Sequence, residues 1–304
     1  MAGERIAKVL ARAGVASRRD AERMIEAGRV AVNGVRLESP ARNVTPEDAI
    51  TVDGAPVAEP EPPRLWRYHK PAGLVTSARD EQGRETVFDH LPIGAPGGLP
   101  RVMTVGRLDL ASEGLLLLTN DGALKRRLEL PSTGWLRRYR VRVHGRPTPR
   151  TLAPLERGIT VDGVDYQPMA VAIDDGPSDR RDAEKSANAW LTIGLREGKN
   201  REIRRALEAL GFSVNRLIRI GYGPFRLGEL PRGGWEEVKA RVLREQLGLS
   251  VETPAQREKR ARDRKDEKDE KGAPAAPRGG SAPGGRSSGG RSSGGRSSGG
   301  KGSA

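Results

Sequence analysis

Four consecutive leucines at residues 115–118 constrain the fold of this chain more than any other feature of its sequence. The run is too short to span a membrane and has the length of a buried β-strand. An Asn-Asp-Gly turn at residues 120–122 ends it. Asp109 lies shortly before the run, in a loop flanked by glycines and close to Arg107. The pattern predicts a loop that carries a carboxylate to the start of a buried strand, with a surface aspartate paired to Arg107 as the alternative.

The overall charge of the chain points to a polyanionic partner. Its 304 residues suffice for two modest domains and a tail, and 54 Lys and Arg against 40 Asp and Glu give a net charge of +14. A surplus of this size is typical of proteins that bind nucleic acid. Without cysteine and with only three widely spaced histidines, we expect no metal site. No apolar run resembles a signal peptide or a membrane span, so we expect a cytoplasmic protein with no membrane partner.

Residues 1–54, called the head below, have the pattern of a small separate domain. Apolar residues at helical spacing predict two helices, the first ended by Gly14 and the second capped by Ser17. Alternating residues on either side of Asn33 and Gly34 predict a β-hairpin. The basic residues on or beside the two helices are candidates for RNA binding: Arg5, Lys8, Arg12, Arg18, Arg19, Arg23 and Arg29. Since charged helix faces are often only solvated, the residues by themselves leave this role open.

A linker and a longer domain follow the head. Four prolines within residues 55–63 predict a stiff linker. Residues 64–250 then predict several strands and short helices. One strand lies on each side of a Pro-Gly turn after Lys70, whose own role stays open. Residues 164–173 predict a further strand, and residues 174–187 predict a polar loop. Alternation in a basic segment places Tyr139 on the apolar face of a strand, where a tyrosine is commonly part of the core. A helix begins near Arg201, and its basic first turn opposes the helix dipole, which favours an anionic partner there.

The C-terminal part of the chain has a different composition. Residues 251–304 begin with a mixed run of charged residues and end in Gly-Gly-Arg-Ser-Ser repeats. Such a segment has almost nothing apolar to bury and is predicted to be disordered. Beyond residue 272 all its charges are positive. We therefore predict a flexible cationic tail that raises non-specific RNA affinity.

The loop before the leucine run carries a family resemblance. Gly106-Arg107-Leu108-Asp109, followed by Ser112, Gly114 and the leucines, resembles the active-site motif of the RsuA/RluB family of ribosomal RNA pseudouridine synthases. That family usually has Thr at the position of Ser112. The Lys-Pro-x-Gly element at residues 70–73, the basic strand with Tyr139 and the segment 197–207 resemble further family motifs in the same order. Ser17-Arg18-Arg19 with residues 28–34 resembles the αL RNA-binding domain. Together the similarity covers about residues 5–245.

The resemblance implies a fold and a set of site residues. The fold class is α+β: a small αL RNA-binding domain, then a pseudouridine synthase domain with a mostly antiparallel sheet, then the disordered basic tail. The implied activity is isomerisation of uridine to pseudouridine in ribosomal RNA without a cofactor. The implied catalytic residues are Asp109, Tyr139 and Arg204, with Arg204 as the basic partner that pairs with Asp109. Candidate RNA-binding residues near this site are Arg107, Lys199, Asn200 and Arg201.

Several alternatives remain open at this point. Arg201 stands where the small-subunit enzyme has a histidine, which favours a target in large-subunit (23S) RNA, in the peptidyl-transferase region. A small-subunit (16S) synthase is the alternative, followed by a non-catalytic ribosome-assembly factor and an enzyme that hydrolyses free nucleosides. The sequence does not decide whether Asp109 acts as a nucleophile or as a base. The expected partner is ribosomal RNA or an assembling ribosomal subunit, bound by a monomer.

Overall fold

The computed structural model describes residues 3–174 and 187–249, together with Gln256, Lys259 and Arg262. The chain divides into two compact units, Met1–Thr253 and Pro254–Ala304, and every element named below belongs to the first. The predicted polar loop over residues 174–187, apart from its two ends, lies outside the described residues, as does the predicted disordered tail except for the three residues just named. Within the described part, no helix is both long and apolar enough to cross a lipid bilayer.

The head contains two helices and several short strands. The helices are α1 (Ile6–Arg12) and α2 (Arg18–Glu26). The strands are β1 (Glu4–Arg5), β2 (Val30–Val32), β3 (Val35–Arg36), β4 (Asn43–Val44), β5 (Ile50–Val52) and β6 (Ala55–Pro56), the last of them at the start of the linker. The predicted helix cap is confirmed, because the Ser17 hydroxyl accepts the amide of Asp20. The predicted hairpin is confirmed as well, with Asn33 and Gly34 both at positive φ.

The rest of the first unit is built on one large sheet. The strands of this sheet are β7 (Leu65–Lys70), β8 (Met103–Val105), β9 (Ser112–Thr119), β10 (Arg137–His144), β13 (Ala170–Ile173), β14 (Asn188–Leu195), β15 (Val214–Tyr222), β16 (Phe225–Arg226) and β17 (Trp235–Glu237). Strands β11 (Ile159–Val161) and β12 (Val164–Tyr166) form a separate hairpin. Its helices are α3 (Gly122–Glu129), α4 (Pro149–Arg157), α5 (Glu202–Ala209) and α6 (Ala240–Leu247).

The strands of the large sheet lie in the order β13-β14-β10-β15-β9-β7-β17, with β16 paired to β15 and β8 paired to β9. Strands β15 and β9 run parallel, and the other strand pairs recorded in the described part run antiparallel. This architecture confirms the predicted α+β class with a mostly antiparallel sheet. It also places β9, β15 and β10 side by side in the middle of the sheet.

The leucine run forms a buried strand, as predicted, and this strand lies in the interior of the sheet, between β15 and β7. All residues of β9 are buried. Leu115 and Leu117 pack in an apolar cluster with residues of α3 and α6, whereas Leu116 and Leu118 pack in a second cluster with Trp66. The run shows no alternation of polar and apolar residues because both faces of this strand are covered.

Two sequence expectations about strands need correction. The segment after the Pro-Gly turn was expected to be a strand, but it contributes only an isolated bridge between Val75 and Thr86. Instead of joining the sheet, this segment lies against the loop of Asp109, where Gly73 and Thr76 donate hydrogen bonds to the carbonyl oxygens of Leu110 and Leu108. Residues 164–173 form two strands instead of one, β12 and β13. Pro168 lies between them and has no amide hydrogen to donate to a strand ladder.

Candidate active site

A cavity of about 500 Å³ lies where strands β9, β10 and β15 meet the loop that precedes β9. Asp109 lines it from the loop, and Tyr139 of β10 and Leu217 of β15 line it from the sheet. The four residues predicted to bind RNA near the site also line this cavity: Arg107, Lys199, Asn200 and Arg201. The structure therefore brings together Asp109, Tyr139 and these four residues, which lie far apart in the sequence.

Lys70 anchors the loop that carries Asp109. This lysine is the last residue of β7 and is fully buried. Its ammonium donates to the backbone carbonyl oxygens of Ser112 at 2.9 Å, Asp109 at 3.3 Å and Leu110 at 3.4 Å. Burial lowers the pKa of Lys70 to about 8, although the nearby carboxylates of Asp109 and Glu113 oppose the shift. The role of Lys70, which the sequence left open, is therefore structural, because its ammonium fixes the loop backbone.

Further hydrogen bonds hold the same loop from other sides. The Thr76 hydroxyl donates to the carbonyl oxygen of Leu108 at 2.8 Å. The Glu129 carboxylate of α3 accepts the amide of Gly106 at 2.6 Å and is itself paired with Lys125. Loop backbone that is hydrogen-bonded on several sides keeps its conformation, so Asp109 is presented to the cavity in a defined position. Its side chain remains 32% exposed.

The basic partner of Asp109 differs from the predicted one. Arg201 approaches the carboxylate, with 3.9 Å between its Nη1 atom and Asp109 Oδ2. Arg204 instead donates to the carbonyl oxygens of Ala111 at 3.1 Å and Val214 at 2.9 Å. The expected direct pair of Arg204 with Asp109 is therefore wrong for this conformation. The alternative pair with Arg107 is not found in the described residues either.

The backbone around α5 explains why Arg201 reaches the cavity. Arg201 lies just before this helix in the left-handed conformation, with φ of 50°, whereas Arg204 belongs to the first turn and extends to the start of β9 and β15. Burial and the like charge of Arg201 lower the pKa of Arg204, and Asp109 acts in the opposite direction. Arg204 thus holds the loop by binding the backbone carbonyl of Ala111, not by pairing with the Asp109 carboxylate.

Glu202 stabilises the turn that carries Lys199 and Arg201. It is 4% exposed, and its Oε2 atom accepts the amide of Lys199 at 3.0 Å. Burial and the neighbouring Glu197 carboxylate raise the pKa of Glu202 to about 8. The pKa of Glu197 is lowered by its hydrogen bonds to the Gln167 amide and to Lys199. Glu202 therefore retains a proton to higher pH than Glu197 does.

The floor of the cavity comes from three neighbouring strands. In the strand register, Tyr139 of β10 lies opposite Arg219 of β15, and Leu217 of β15 lies opposite Ser112 of β9. Gly114 faces Arg219 at positive φ, and a Cβ atom there would lie 2.3 Å from the carbonyl oxygen of Arg219. Glycine is required at this position because β9 and β15 approach closely.

The basic residues of the head are divided between a groove and ion pairs. Arg5, Lys8 and Arg18 line a second cavity of about 320 Å³. Arg12 is paired with Glu4, Arg23 with Asp20, and Arg29 with Asp53. Lys8 also contacts Glu4, while Arg19 is exposed on α2. The candidate RNA surface is thus partly neutralised, while Arg5, Lys8 and Arg18 in the groove are all exposed.

Sequence reasoning missed several residues of the cavity. Thr76, Glu129, Arg137 and Glu202 line it but had no assigned role. Arg219 was also missed, although a charged residue inside the apolar strand of residues 214–222 was a usable signal. Within the described ranges, no group of three or more His, Cys, Asp or Glu side chains is arranged to hold a metal ion.

Comparison with known protein families gives two matches. The family described as RNA pseudouridylate synthase matches residues 64–209. The S4 domain matches residues 4–59. The first match includes Asp109, Tyr139 and Arg204, and the second covers the two helices of the head and the strands that follow them.

Individual proteins show the same similarity. An uncharacterized RNA pseudouridine synthase of Rickettsia prowazekii is 42% identical over 80% of this chain and 97% of its own length. The ribosomal large subunit pseudouridine synthase B of Escherichia coli K12 is 42% identical over 82% of this chain and 85% of its own length. A crystal structure of a pseudouridylate synthase covers 80% of this chain and 100% of its own, with 24% identity and a TM-score of 0.53, which shows a shared fold.

Proposed function

This chain belongs to the RNA pseudouridylate synthase family, and from that premise we propose that it isomerises a uridine of large-subunit ribosomal RNA, with Asp109 as the catalytic carboxylate and no cofactor. The family resemblance read from the sequence is confirmed by these matches, as is the RNA-binding type of the head. The target RNA and the residue roles are the parts that we propose.

The reaction itself is balanced without any second reactant. The bond between N1 of uracil and C1′ of ribose breaks, the base rotates, and a bond forms between C5 and C1′. C5 loses one proton and N1 gains one, so the product has the same atoms and the same oxidation state as the substrate. The chain must therefore release the base from its stack, hold it during rotation and move one proton.

The observation that carries the proposal is the position of Asp109. Asp109 lines the cavity, while Lys70 and Arg204 hold the backbone from Asp109 to Ser112. A fixed carboxylate next to a cavity that admits a nucleotide can attack a sugar or a base, or accept a proton. Arg201 places a positive charge next to this carboxylate, with 3.9 Å between its Nη1 atom and Asp109 Oδ2.

The other proposed roles follow from the surroundings of Asp109. Tyr139 and Leu217 present a ring and an apolar side chain on the sheet floor, which suits packing against a flipped base. Arg204 acts in this proposal as a positioning residue that holds the loop at Ala111. The four polar residues predicted to bind RNA near the site also line this cavity, and in this proposal they contact the RNA near the target: Arg107, Lys199, Asn200 and Arg201.

The large ribosomal subunit is favoured as the source of the substrate. The relative from Escherichia coli is named for that subunit, and it aligns with this chain over most of both lengths. The head supplies affinity for structured RNA through its basic groove, where Arg18 and Lys8 can face phosphates.

Pseudouridine mapping tests the proposal directly. Ribosomal RNA from a strain that lacks this chain should retain one uridine that the parent strain converts, and that uridine should lie in large-subunit RNA. The purified full chain should convert the same uridine in an unmodified transcript. A missing pseudouridine in small-subunit RNA would select the alternative target. Complete modification of both RNAs would overturn the proposal and leave the assembly factor and the nucleoside-hydrolysing enzyme as alternatives.

A further inference from the structure

Arg219 is a buried cation in the floor of the cavity. It lies on β15, is 3% exposed, and lines the same cavity as Asp109. Its Nε atom donates to the carbonyl oxygen of Leu115 at 2.7 Å, and its guanidinium lies 5.3 Å from the centre of the Tyr222 ring. Its Nη2 atom is buried and has no hydrogen-bond partner among the described residues. A buried donor of a charged group without an acceptor is costly, so this atom suits an acceptor from outside the chain.

Ser112 provides a second buried polar atom close by. Its hydroxyl lines the same cavity and has no partner within the described part of the chain. Ser112 lies opposite Leu217 in the register of β9 and β15, and Arg219 lies one step further along the same face. Because both side chains line the same cavity from neighbouring strands, their polar ends can contact one small planar molecule. The two atoms thus form a polar edge beside the apolar surface of Leu217.

We propose that Arg219 donates a hydrogen bond from Nη2 to a carbonyl oxygen of the flipped uracil, with the Ser112 hydroxyl contacting the same edge of the base. This inference rests on the proposed function, because it assumes that a uridine enters the cavity. Uracil presents two carbonyl oxygens with an N–H group between them. A charged donor next to a hydroxyl that both donates and accepts matches this pattern.

The contact also aids the reaction. When the bond between N1 and C1′ breaks with its electron pair left on the base, negative charge spreads over N1 and the two carbonyl oxygens. The charge disappears when C5 bonds to C1′, C5 releases its proton, and N1 is protonated. A fixed cationic donor at a carbonyl oxygen binds the charged base more strongly than the neutral one, so Arg219 lowers the barrier and acts on turnover more than on RNA binding.

Sulfur-substituted substrates distinguish a contact between Arg219 and a uracil carbonyl oxygen from a purely structural role of Arg219. Mapping with the full wild-type chain first identifies the target uridine, and RNA fragments are then made with uridine, 2-thiouridine or 4-thiouridine at that position. Single-turnover rates at saturating RNA are measured for wild type and for Arg219→Met. We expect Arg219→Met to slow the uridine reaction by about 10- to 100-fold, as for loss of a charged hydrogen bond. We also expect one thio-substitution to slow wild type but not Arg219→Met.

Further variants keep the result interpretable. Arg142→Met changes an exposed arginine on the neighbouring strand β10, outside the cavity, and should behave as wild type. Ser112→Ala should be slowed less than Arg219→Met, because it removes a neutral hydrogen bond. If Arg219→Met melts early, Arg219→Lys takes its place, since an ammonium retains charge but cannot bind both Leu115 and the base.

The outcomes separate this inference from the proposed function. Equal thio-effects in wild type and in the Arg219 variant, or a wild-type rate in that variant, would overturn the contact with uracil. If wild type converts no uridine in any ribosomal RNA, the proposed function fails first. If wild type is active and the thio-effect disappears only in the Arg219 variant, both the proposed function and the contact of Arg219 with uracil are supported.

Discussion

The ammonium of Lys70 lies 2.9 Å from the carbonyl oxygen of Ser112 and joins the end of β7 to the start of β9. The same ammonium also donates to the carbonyl oxygens of Asp109 and Leu110. A buried charge is tolerated here because several backbone dipoles replace its water shell. The contact places the Asp109 loop relative to the central sheet.

Lys70→Met should loosen this loop. The change keeps most of the side-chain volume but leaves the carbonyl oxygens of Asp109, Leu110 and Ser112 without the ammonium. We expect a loss of about 1–3 kcal/mol in the free energy of unfolding and at least a tenfold drop in turnover. Urea denaturation and single-turnover assays measure the two effects, with the exposed Lys239→Met as control. Unchanged turnover in Lys70→Met would show that the loop does not depend on this anchor.

Asp109→Asn should fold and bind RNA but form no pseudouridine. The amide has nearly the size of the carboxylate, and the side chain is partly exposed, so the melting temperature should change little. The reactive charge is lost, so turnover should fall below detection. Single-turnover assays and thermal melting of the purified variant provide the measurement. Clear residual turnover would refute the assignment of Asp109 as the catalytic carboxylate.

Substitutions of the arginines around α5 should affect stability and turnover to different degrees. Arg204→Ala removes donors from the carbonyl oxygens of Ala111 and Val214 and should cost about 1–3 kcal/mol of stability as well as activity. Arg201→Ala removes an exposed partner of Asp109 and should lower turnover with little effect on melting. Arg205→Ala, exposed on the same helix, is the control. The assignment is wrong if Arg201→Ala is the variant that melts early while Arg204→Ala stays stable.

The stability of the chain should depend on Glu202 at alkaline pH. Burial and the Glu197 carboxylate raise the pKa of Glu202 from its ordinary value of 4.5 to about 8, so between these values the folded state keeps a proton that the unfolded state releases. The contribution to folding is present at low pH and is lost as pH rises between these values. Glu202→Gln should therefore melt close to wild type at pH 5 and above it at pH 9.

Thermal melting at several pH values measures this difference. Each kcal/mol corresponds to roughly 2–4 °C for a protein of this size. Glu208→Gln, an exposed change on the same helix, should not differ from wild type in melting temperature at either pH. A Glu202→Gln curve parallel to wild type across the whole range would mean that Glu202 is charged in the folded chain.

The head should contribute affinity through particular arginines. Arg18→Ala removes an exposed cation from the groove and should reduce the slope of log K against log salt by about one unit for large-subunit RNA. Arg29→Ala should reduce it less, because Asp53 already binds that guanidinium through two oxygens. Filter binding at several salt concentrations measures both slopes. Equal slopes for Arg18→Ala and wild type would exclude Arg18 from the phosphate contacts.

The sequence alone predicted the features that depend on nearby residues. The leucine run predicted a buried strand, because a strand covered on both faces is apolar at successive positions. Ser17 with Asp20 predicted a helix cap, and Asn33-Gly34 a hairpin, because these interactions span a few residues. The position of Asp109 before the strand, together with the family motifs, predicted the candidate carboxylate.

Only the tertiary structure decided which side chains surround that carboxylate. Whether Arg201 or Arg204 faces Asp109 depends on the left-handed backbone at Arg201 and on the distance from α5 to β9, neither of which is visible as a local pattern. The anchoring by Lys70 and the burial of Arg219 depend on strand pairs formed by residues that lie far apart in the chain. Sequence patterns report short-range preferences, whereas a cavity is built from side chains that only long-range packing brings together.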